Sequence, residues 1–271
     1  MDYSIEKILP KIKKMKPLIH CITNHISITD CANIVLAVGG KPIMAEHPSE
    51  CAKITTLAKT FLLNLGNIND TRMKSGLISA QAARANGIPF IVDLVGVACS
   101  TLRLEYSLSL TKKLSPDVIK GNASEIKAFA GMKSNAIGVD AGDSDLKELD
   151  LVAQGLAKKY SSVIMITGEN DYISNGSSTF IIRNGTEKLC DITGTGCMLG
   201  ALTATFLSCA SSLDACVCAA AFMGVCGELA ASHEGIGSFK TALFDSFYTT
   251  GGKEISDRAI VEKIEVKNEG F

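Results

Sequence analysis

Histidine is scarce in this chain of 271 residues, four in all, and none of its ten cysteines stands in a Cys-x-x-Cys pair. Structural zinc draws its ligands from such pairs and from histidine, so the sequence offers it no ready cage. Charge of one sign is equally short, with 27 Lys and Arg against 28 Asp and Glu and a formal net charge of −1. Neither a basic face nor a basic tail is visible, which argues against nucleic acid or an anionic membrane surface as a partner. The first sixteen residues are charged and amphipathic instead of a basic segment followed by an apolar run, so no secretory signal is expected. No stretch reads as a membrane span, and linkers, low-complexity tracts and internal repeats are missing too.

What is present is apolar bulk. A hydrophobic content of 46% suffices for one sizeable core, and residues 1–271 are expected to form a single domain. Most of the cysteines, including Cys31, Cys209, Cys216, Cys218 and Cys226, lie in apolar helical patterns, where a free thiol is a small hydrophobe. That usage implies a reducing, cytoplasmic setting.

Short apolar runs at 18–21, 42–45, 61–65, 89–92, 118–120 and 163–167 read as buried strands. Segments of helical period at 30–38, 49–60, 71–86, 101–114, 124–130 and 145–160 separate them. Such alternation predicts an α/β fold with a mostly parallel central sheet and helices on both faces, whose site lies at the carboxyl ends of the strands. Residues 172–183, with Asn175-Gly176 at the turn, read as an antiparallel hairpin at one side of the sheet. Beyond them helices are expected at 195–210, 213–233 and 239–250, then a charged tail that frays.

The chemistry is expected at Asp191-Ile192-Thr193-Gly194-Thr195-Gly196-Cys197-Met198-Leu199-Gly200. Glycines opening an apolar helix make an anion site, because the first backbone N–H groups lack intrahelical partners and the dipole adds partial positive charge. A plain N-cap by Thr193 or Thr195 is the competing explanation. Cys197 tips the balance, since a helix start favours a reactive thiol. The strand ends supply further polar groups: Asn24, Glu46, Asp93, Lys120, Asn122, Glu125 and Thr167. Asn122 with Glu125 could be nothing more than a helix cap. Mg²⁺ near phosphates needs only one or two carboxylates, and Glu125 with Asp93 would serve.

Thr193-Gly194-Thr195-Gly196-Cys197-Met198 resembles the signature of the hydroxyethylthiazole kinases, members of the ribokinase-like superfamily, most of whose members have Asp where this chain has Cys197. Ile22-Thr23-Asn24, the Pro42-Ile43-Met44 strand, Asp93 with Gly96, the Asn122-x-x-Glu125 element, Thr167-Gly168-Glu169 and Gly235-Ile236-Gly237-Ser238-Phe239 extend the resemblance over about residues 20–239. It implies transfer of phosphate from ATP, with Mg²⁺, to the primary alcohol of a thiazole in thiamine biosynthesis or salvage. By the same resemblance, Asn24, Met44, Gly194 and Cys197 meet the thiazole alcohol, whose hydroxyl the catalytic Cys197 holds or deprotonates, Lys120, Asn122, Thr167 and Gly196 meet ATP, and Glu125 holds the metal, with Asp93 as the natural second carboxylate. A homotrimer with sites between subunits is implied as well, consistent with the all-round apolar helices near 195–231.

Departures from the family pattern are Lys120 in place of the usual Arg, and Leu94 and Ala98 in place of the usual Pro and Gly. Rival readings are a ribokinase-like kinase for a hydroxymethylpyrimidine or a sugar, an ATP-dependent hydrate-repair dehydratase, and a regulatory protein that keeps a nucleotide pocket without turnover. Cys197 speaks against the first two, and the intact glycine loop and Glu125 against the third.

Overall fold

The computed structural model describes residues 5–132 and 148–264. Its strands are β1 (Leu18–Ile22), β2 (Lys41–Ile43), β3 (Thr60–Asn64), β4 (Phe90–Asp93), β5 (Val118–Asn122), β6 (Val163–Thr167), β7 (Asp171–Ser174), β8 (Thr179–Ile182) and β9 (Val261–Ile264). They form one sheet in the order β2-β1-β3-β4-β5-β6-β7-β8-β9. Pairing is parallel from β2 to β6 and antiparallel from β6 to β9. The chain leaves β1 toward β2 on one side and returns for β3 on the other, so the order reverses at β1. Loops diverge there at the carboxyl ends of the strands, which opens the crevice where ligands of such sheets bind.

Side chains alternate across each parallel strand, and both faces are apolar. Ile19, Leu62, Ile91 and Val118 point to one layer, made by α1 (Ile5–Met15), α2 (Ile28–Ala37), α8 (Thr195–Leu207), α9 (Ser212–Ala230), α10 (Ile236–Thr249) and α11 (Gly252–Arg258). Phe61, Leu63, Phe90, Val92 and Ile119 point to the other, which includes α4 (Asp70–Ala85), α5 (Thr101–Leu114), α6 (Ala123–Phe129) and α7 (Leu149–Tyr160). The short helix α3 (Cys51–Leu57) leads into β3.

Helix α8 is buried from Cys197 to Leu207 without a break, and α9 from Ala215 to Gly227. With 19 residues, α9 is long and apolar enough to cross a bilayer, yet most of it is buried within the protein. The all-round apolarity of these helices is therefore largely absorbed inside one chain. Polar groups on α8 are satisfied locally: Thr203 and Thr205 donate to the carbonyls of Leu199 and Ala201, and Thr60 of β3 donates to that of Ala204 at 2.8 Å.

Some expectations need correction. The tail does not fray directly after α10, because α11 packs against α1 and residues 261–264 add β9 to the sheet edge. Period alone could not show this, since β9 is exposed on half its length and lacks an apolar run. The helix expected to reach Thr60 stops at Leu57, and Thr60 opens β3. Cys209 lies beyond α8 and is half-buried; Cys99 and Cys190 are exposed, whereas Cys21, Cys31, Cys51, Cys216, Cys218 and Cys226 are core. Residues 145–147, expected to open the helix before β6, lie outside the described residues.

Candidate active site

Alternation along three neighbouring strands puts one polar row at their carboxyl ends. Two residues beyond the inward-facing Leu62, Ile91 and Val118 come Asn64, Asp93 and Lys120, and the sheet register sets Asn64 beside Asp93 and Asp93 beside Lys120. The row lies under the start of α8. A Cβ added at Gly200 would come within 3.1 Å of Asp93 Oδ2, and one at Gly196 would lie 3.9 Å from Lys120 Nζ.

Lys120 is 3% exposed and Asp93 fully buried, with Nζ donating to Oδ1 at 3.1 Å and to Oδ2 at 3.2 Å. Burial pushes the Asp93 carboxyl up to about 6, opposed by the Lys120 ammonium and reinforced by the Glu125 charge. Burial is the largest influence and would lower Lys120, but Asp93 beside it and the other acidic groups nearby together outweigh that and keep the amine cationic.

Asn64 carries the row onward. Its Oδ1 accepts from Gly66 N–H at 2.8 Å, and its Nδ2 donates to Asp93 Oδ2 at 3.0 Å and to Cys197 Sγ at 3.3 Å. Asn24 meets the same sulfur from the loop after β1, its Nδ2 lying 3.0 Å from Sγ. Its Oδ1 accepts from Ile26 N–H, Ser27 N–H and the Ser27 hydroxyl at 3.0–3.1 Å. Cys197, 8% exposed, is thus held from two sides in the first turn of α8.

That turn has no side-chain cap. Gly194 occupies the N-cap with φ +94°, and a Cβ there would lie 2.6 Å from Ser27 Cβ, so both conformation and space call for glycine. Thr195 turns its hydroxyl back to the Leu189 and Ile192 carbonyls instead of capping the helix, and the first intrahelical bond runs from Met198 N–H to Gly194 O. Capping by Thr193 or Thr195 is overturned. The helix start keeps its N–H groups and its dipole for an anion.

Glu125 and Asn122 do form the expected cap, with each side chain accepting from the other's backbone N–H. The carboxylate does more than cap, because its Oε1 also accepts from Gly96 N–H at 2.8 Å and so fixes the loop after β4. In that loop Leu94 is buried, and its N–H, which a proline would lack, donates to Lys120 O at 2.8 Å. Ala98 is exposed in a single 3-10 turn. Thr167 ends β6 opposite Asn122, its hydroxyl 3.5 Å from Gly121 O. Met44 is half-buried just past β2 and packs on the core, outside the network around the thiol.

The sequence reading passed over Asn64 and Arg72. Asn64 holds in β3 the place that Asp93 holds in β4, a polar end to an apolar strand, and that signal was available. Arg72, 1% exposed, donates to Glu46 Oε2 at 2.9 Å and to the carbonyls of Gly66 and Asn67 at 3.2 and 3.4 Å. Its Nη2 lies 3.3 Å from His25 Nδ1, which must accept because a guanidinium only donates. One guanidinium thereby joins the loops after β1, β2 and β3, a tertiary coincidence with no local pattern.

A model described as the hydroxyethylthiazole kinase family matches residues 9–251. The chain belongs to the hydroxyethylthiazole kinase family. It is 49% identical over 269 residues to hydroxyethylthiazole kinase 2 of Clostridium botulinum strain Hall, covering 97% of this chain and 99% of the relative. A 38% identical hydroxyethylthiazole kinase from strain Eklund 17B covers 96% of each. Among solved structures, hydroxyethylthiazole kinase from Pyrococcus horikoshii superposes with a TM-score of 0.90 at 30% identity, over 98% of this chain and all of that one. Staphylococcus aureus pyridoxal kinase with AMP-PCP and pyridoxal gives 0.61 at 13% identity, over 93% and 99% of the two chains, a likeness of fold alone. This is the ribokinase-like architecture.

Gly200→Ala tests how tightly α8 is seated on Asp93. Alanine improves an isolated helix by up to about 1 kcal/mol, yet the carboxylate it would crowd is fixed by Lys120 and Asn64 and cannot yield. Because small misplacements near a reacting centre cost heavily, turnover should fall by roughly tenfold or more. Full turnover with a raised melting temperature would show that the contact is slack.

Proposed function

We propose that this protein transfers the γ-phosphoryl group of ATP to the primary alcohol of 4-methyl-5-(2-hydroxyethyl)thiazole, a step in making or salvaging thiamine. Belonging to the family makes it a phosphotransferase. The observation that carries the acceptor is Cys197, the residue that sets this family's signature apart, held by Asn24 at an uncapped helix start.

In the proposed reaction the thiazole's hydroxyl oxygen bonds to the γ-phosphorus as the bridging P–O bond to ADP breaks. A loose transition state of this kind needs positioning and charge neutralisation more than a strong nucleophile. The N–H groups of residues 194–197 face the transferring group, and the Lys120 ammonium beneath Gly196 adds positive charge. Asn122 and Thr167 border the nucleotide, while Asn24, Met44 and Gly194 border the thiazole. Cys197 holds or deprotonates the hydroxyl, whose proton leaves late, to the Cys197 sulfur or to an oxygen of the transferred phosphoryl group.

Mg²⁺ would neutralise charge on the polyphosphate. Glu125 suits it, because each carboxylate oxygen accepts one backbone N–H and keeps a lone pair for a metal-bound water. Asp93 suits it less, since its charge is matched by Lys120 and both its oxygens are engaged. Glu125 is therefore the principal anchor in this reading, while Asp93, the second carboxylate expected, is tied up with the Lys120 ammonium, which has no lone pair for a metal or its water.

The oligomer proposal, a homotrimer with shared sites, rests on the family resemblance and on Ile26, 67% exposed two residues from Asn24. Sedimentation should give a trimer, and inactive Met44 and Cys197 variants refolded together should recover partial activity. A fully active monomer would end this proposal. A cytoplasmic location, supported by ten free cysteines, is checked by cell fractionation.

Cys197→Ala should lower kcat by up to about 10²–10⁴-fold with ATP affinity little changed, and Cys197→Asp should retain turnover. Assays with thiazole alcohol, a pyrimidine alcohol and no acceptor separate this activity from a related kinase or a dehydratase. An undiminished Cys197→Ala enzyme would remove the thiol from the chemistry.

Glu125→Gln keeps size but removes charge, so the Mg²⁺ concentration for half-maximal activity should rise. An unchanged Mg²⁺ dependence combined with a lowered melting temperature would reduce Glu125 to a helix cap.

A further inference from the structure

The sulfur of Cys197 is reached by two primary amides whose orientations the backbone dictates. At Asn64 the side-chain atom facing Gly66 N–H must be the oxygen, and at Asn24 the atom facing Ile26 N–H, Ser27 N–H and the Ser27 hydroxyl must be the oxygen too. Both NH₂ groups consequently turn to Sγ, at 3.0 Å from Asn24 and 3.3 Å from Asn64. The second hydrogen of Asn64 Nδ2 goes to Asp93 Oδ2, so no donor of that amide remains for a ligand.

We propose that Asn64 is a positioning residue that, paired with Asn24, clamps the Cys197 sulfur for the phosphoryl acceptor. The proposal rests on the phosphoryl-transfer reading above. Cβ and two amide hydrogens take three of the four directions around sulfur. The remaining one, whether it carries the thiol hydrogen or a lone pair, is the direction left for the acceptor's hydroxyl. Asn64 also links this clamp to the buried Asp93–Lys120 pair, so the thiol and the ammonium beneath the glycine loop keep a fixed relation. Because Asn64 has its oxygen on Gly66 and its hydrogens on Asp93 and Cys197, it acts through the thiol without touching substrate.

A double-mutant cycle decides it. Asn64→Ala, Cys197→Ala and the double variant are assayed with ATP and thiazole alcohol, and kcat and both KM values are measured. Asn64→Ala should lower kcat by roughly tenfold or more with the KM for ATP unchanged, since misplacement near the reacting atoms acts on turnover. In the Cys197→Ala background the same change should alter kcat less than about twofold, as expected of residues that act as one unit. Equal losses in both backgrounds would mean that Asn64 acts only through Asp93 and the sheet, and would overturn the proposal. So would an unchanged kcat in the single variant. If Asn64→Ala loses its native circular dichroism, the same cycle with Asn24→Ala, which leaves Asp93 untouched, replaces it, and additive losses there overturn the clamp. Absence of thiazole-alcohol turnover in the unaltered protein would instead defeat the proposed function, so the two failures are distinguishable.

Discussion

The Lys120–Asp93 ion pair is the constraint on which the rest of the site hangs. Taking an ammonium and a carboxylate out of water costs several kcal/mol for each ion, and only close geometry with every remaining lone pair and proton engaged offsets it. Here the offset comes from contacts to both carboxylate oxygens, from the Asn64 amide and from a sheet register that sets the three side chains in one row. Losing either partner would leave a buried charge uncompensated, at a cost of about 3–5 kcal/mol. Lysine instead of arginine changes the character of the row. A guanidinium is a planar fork, whereas an ammonium is a compact point charge that fits beneath Gly196 beside Asp93.

Helix α8 can deliver its first turn onto this row only because it is apolar and small-faced. Gly200 lets the helix backbone approach Asp93, and the Thr60 hydroxyl fixes the far end of the helix through Ala204 O. The helix is buried from Cys197 to Leu207, which holds its N-terminus against the strand ends. An uncapped N-terminus is a small sacrifice of stability, since glycine at the N-cap gives up about a few tenths of a kcal/mol relative to a capping side chain. Stability lost at a helix start in this position is what an anion site requires.

Much of this could be read from the chain itself because the relevant signals are local. The parallel strands announce themselves as apolar runs, the glycine loop as a break before a long apolar helix, and Asp93, Lys120, Asn122 and Glu125 as polar residues directly after strands. Asn64 had the same signal but looked like one polar interruption between Leu63 and Leu65. Arg72 had none: inside a helix of mixed small and polar residues it resembles a solvated charge, and only the packing of three loops shows it to be buried. The pairing of Asp93 with Lys120 is likewise a matter of register between β4 and β5, which no spacing in the sequence states. Strand β9 was illegible for the opposite reason, being held by edge hydrogen bonds instead of by an apolar face.

The network divides the proposed site into two halves of different construction. On the acceptor side, Arg72 ties the loops after β1, β2 and β3 together from behind, and His20 adds a second tie from β1 to Ala45 O at 2.8 Å. Burial holds the His20 ring down at about 4, so it stays neutral and the tie costs no buried charge. On the proposed nucleotide side, the loop after β4 is set by Gly96 N–H on the Glu125 carboxylate and Leu94 N–H on Lys120 O. Asn64 and Cys197 stand at the seam. A fold built this way can change its acceptor loops as a block while the parallel strands beneath the nucleotide half stay in place.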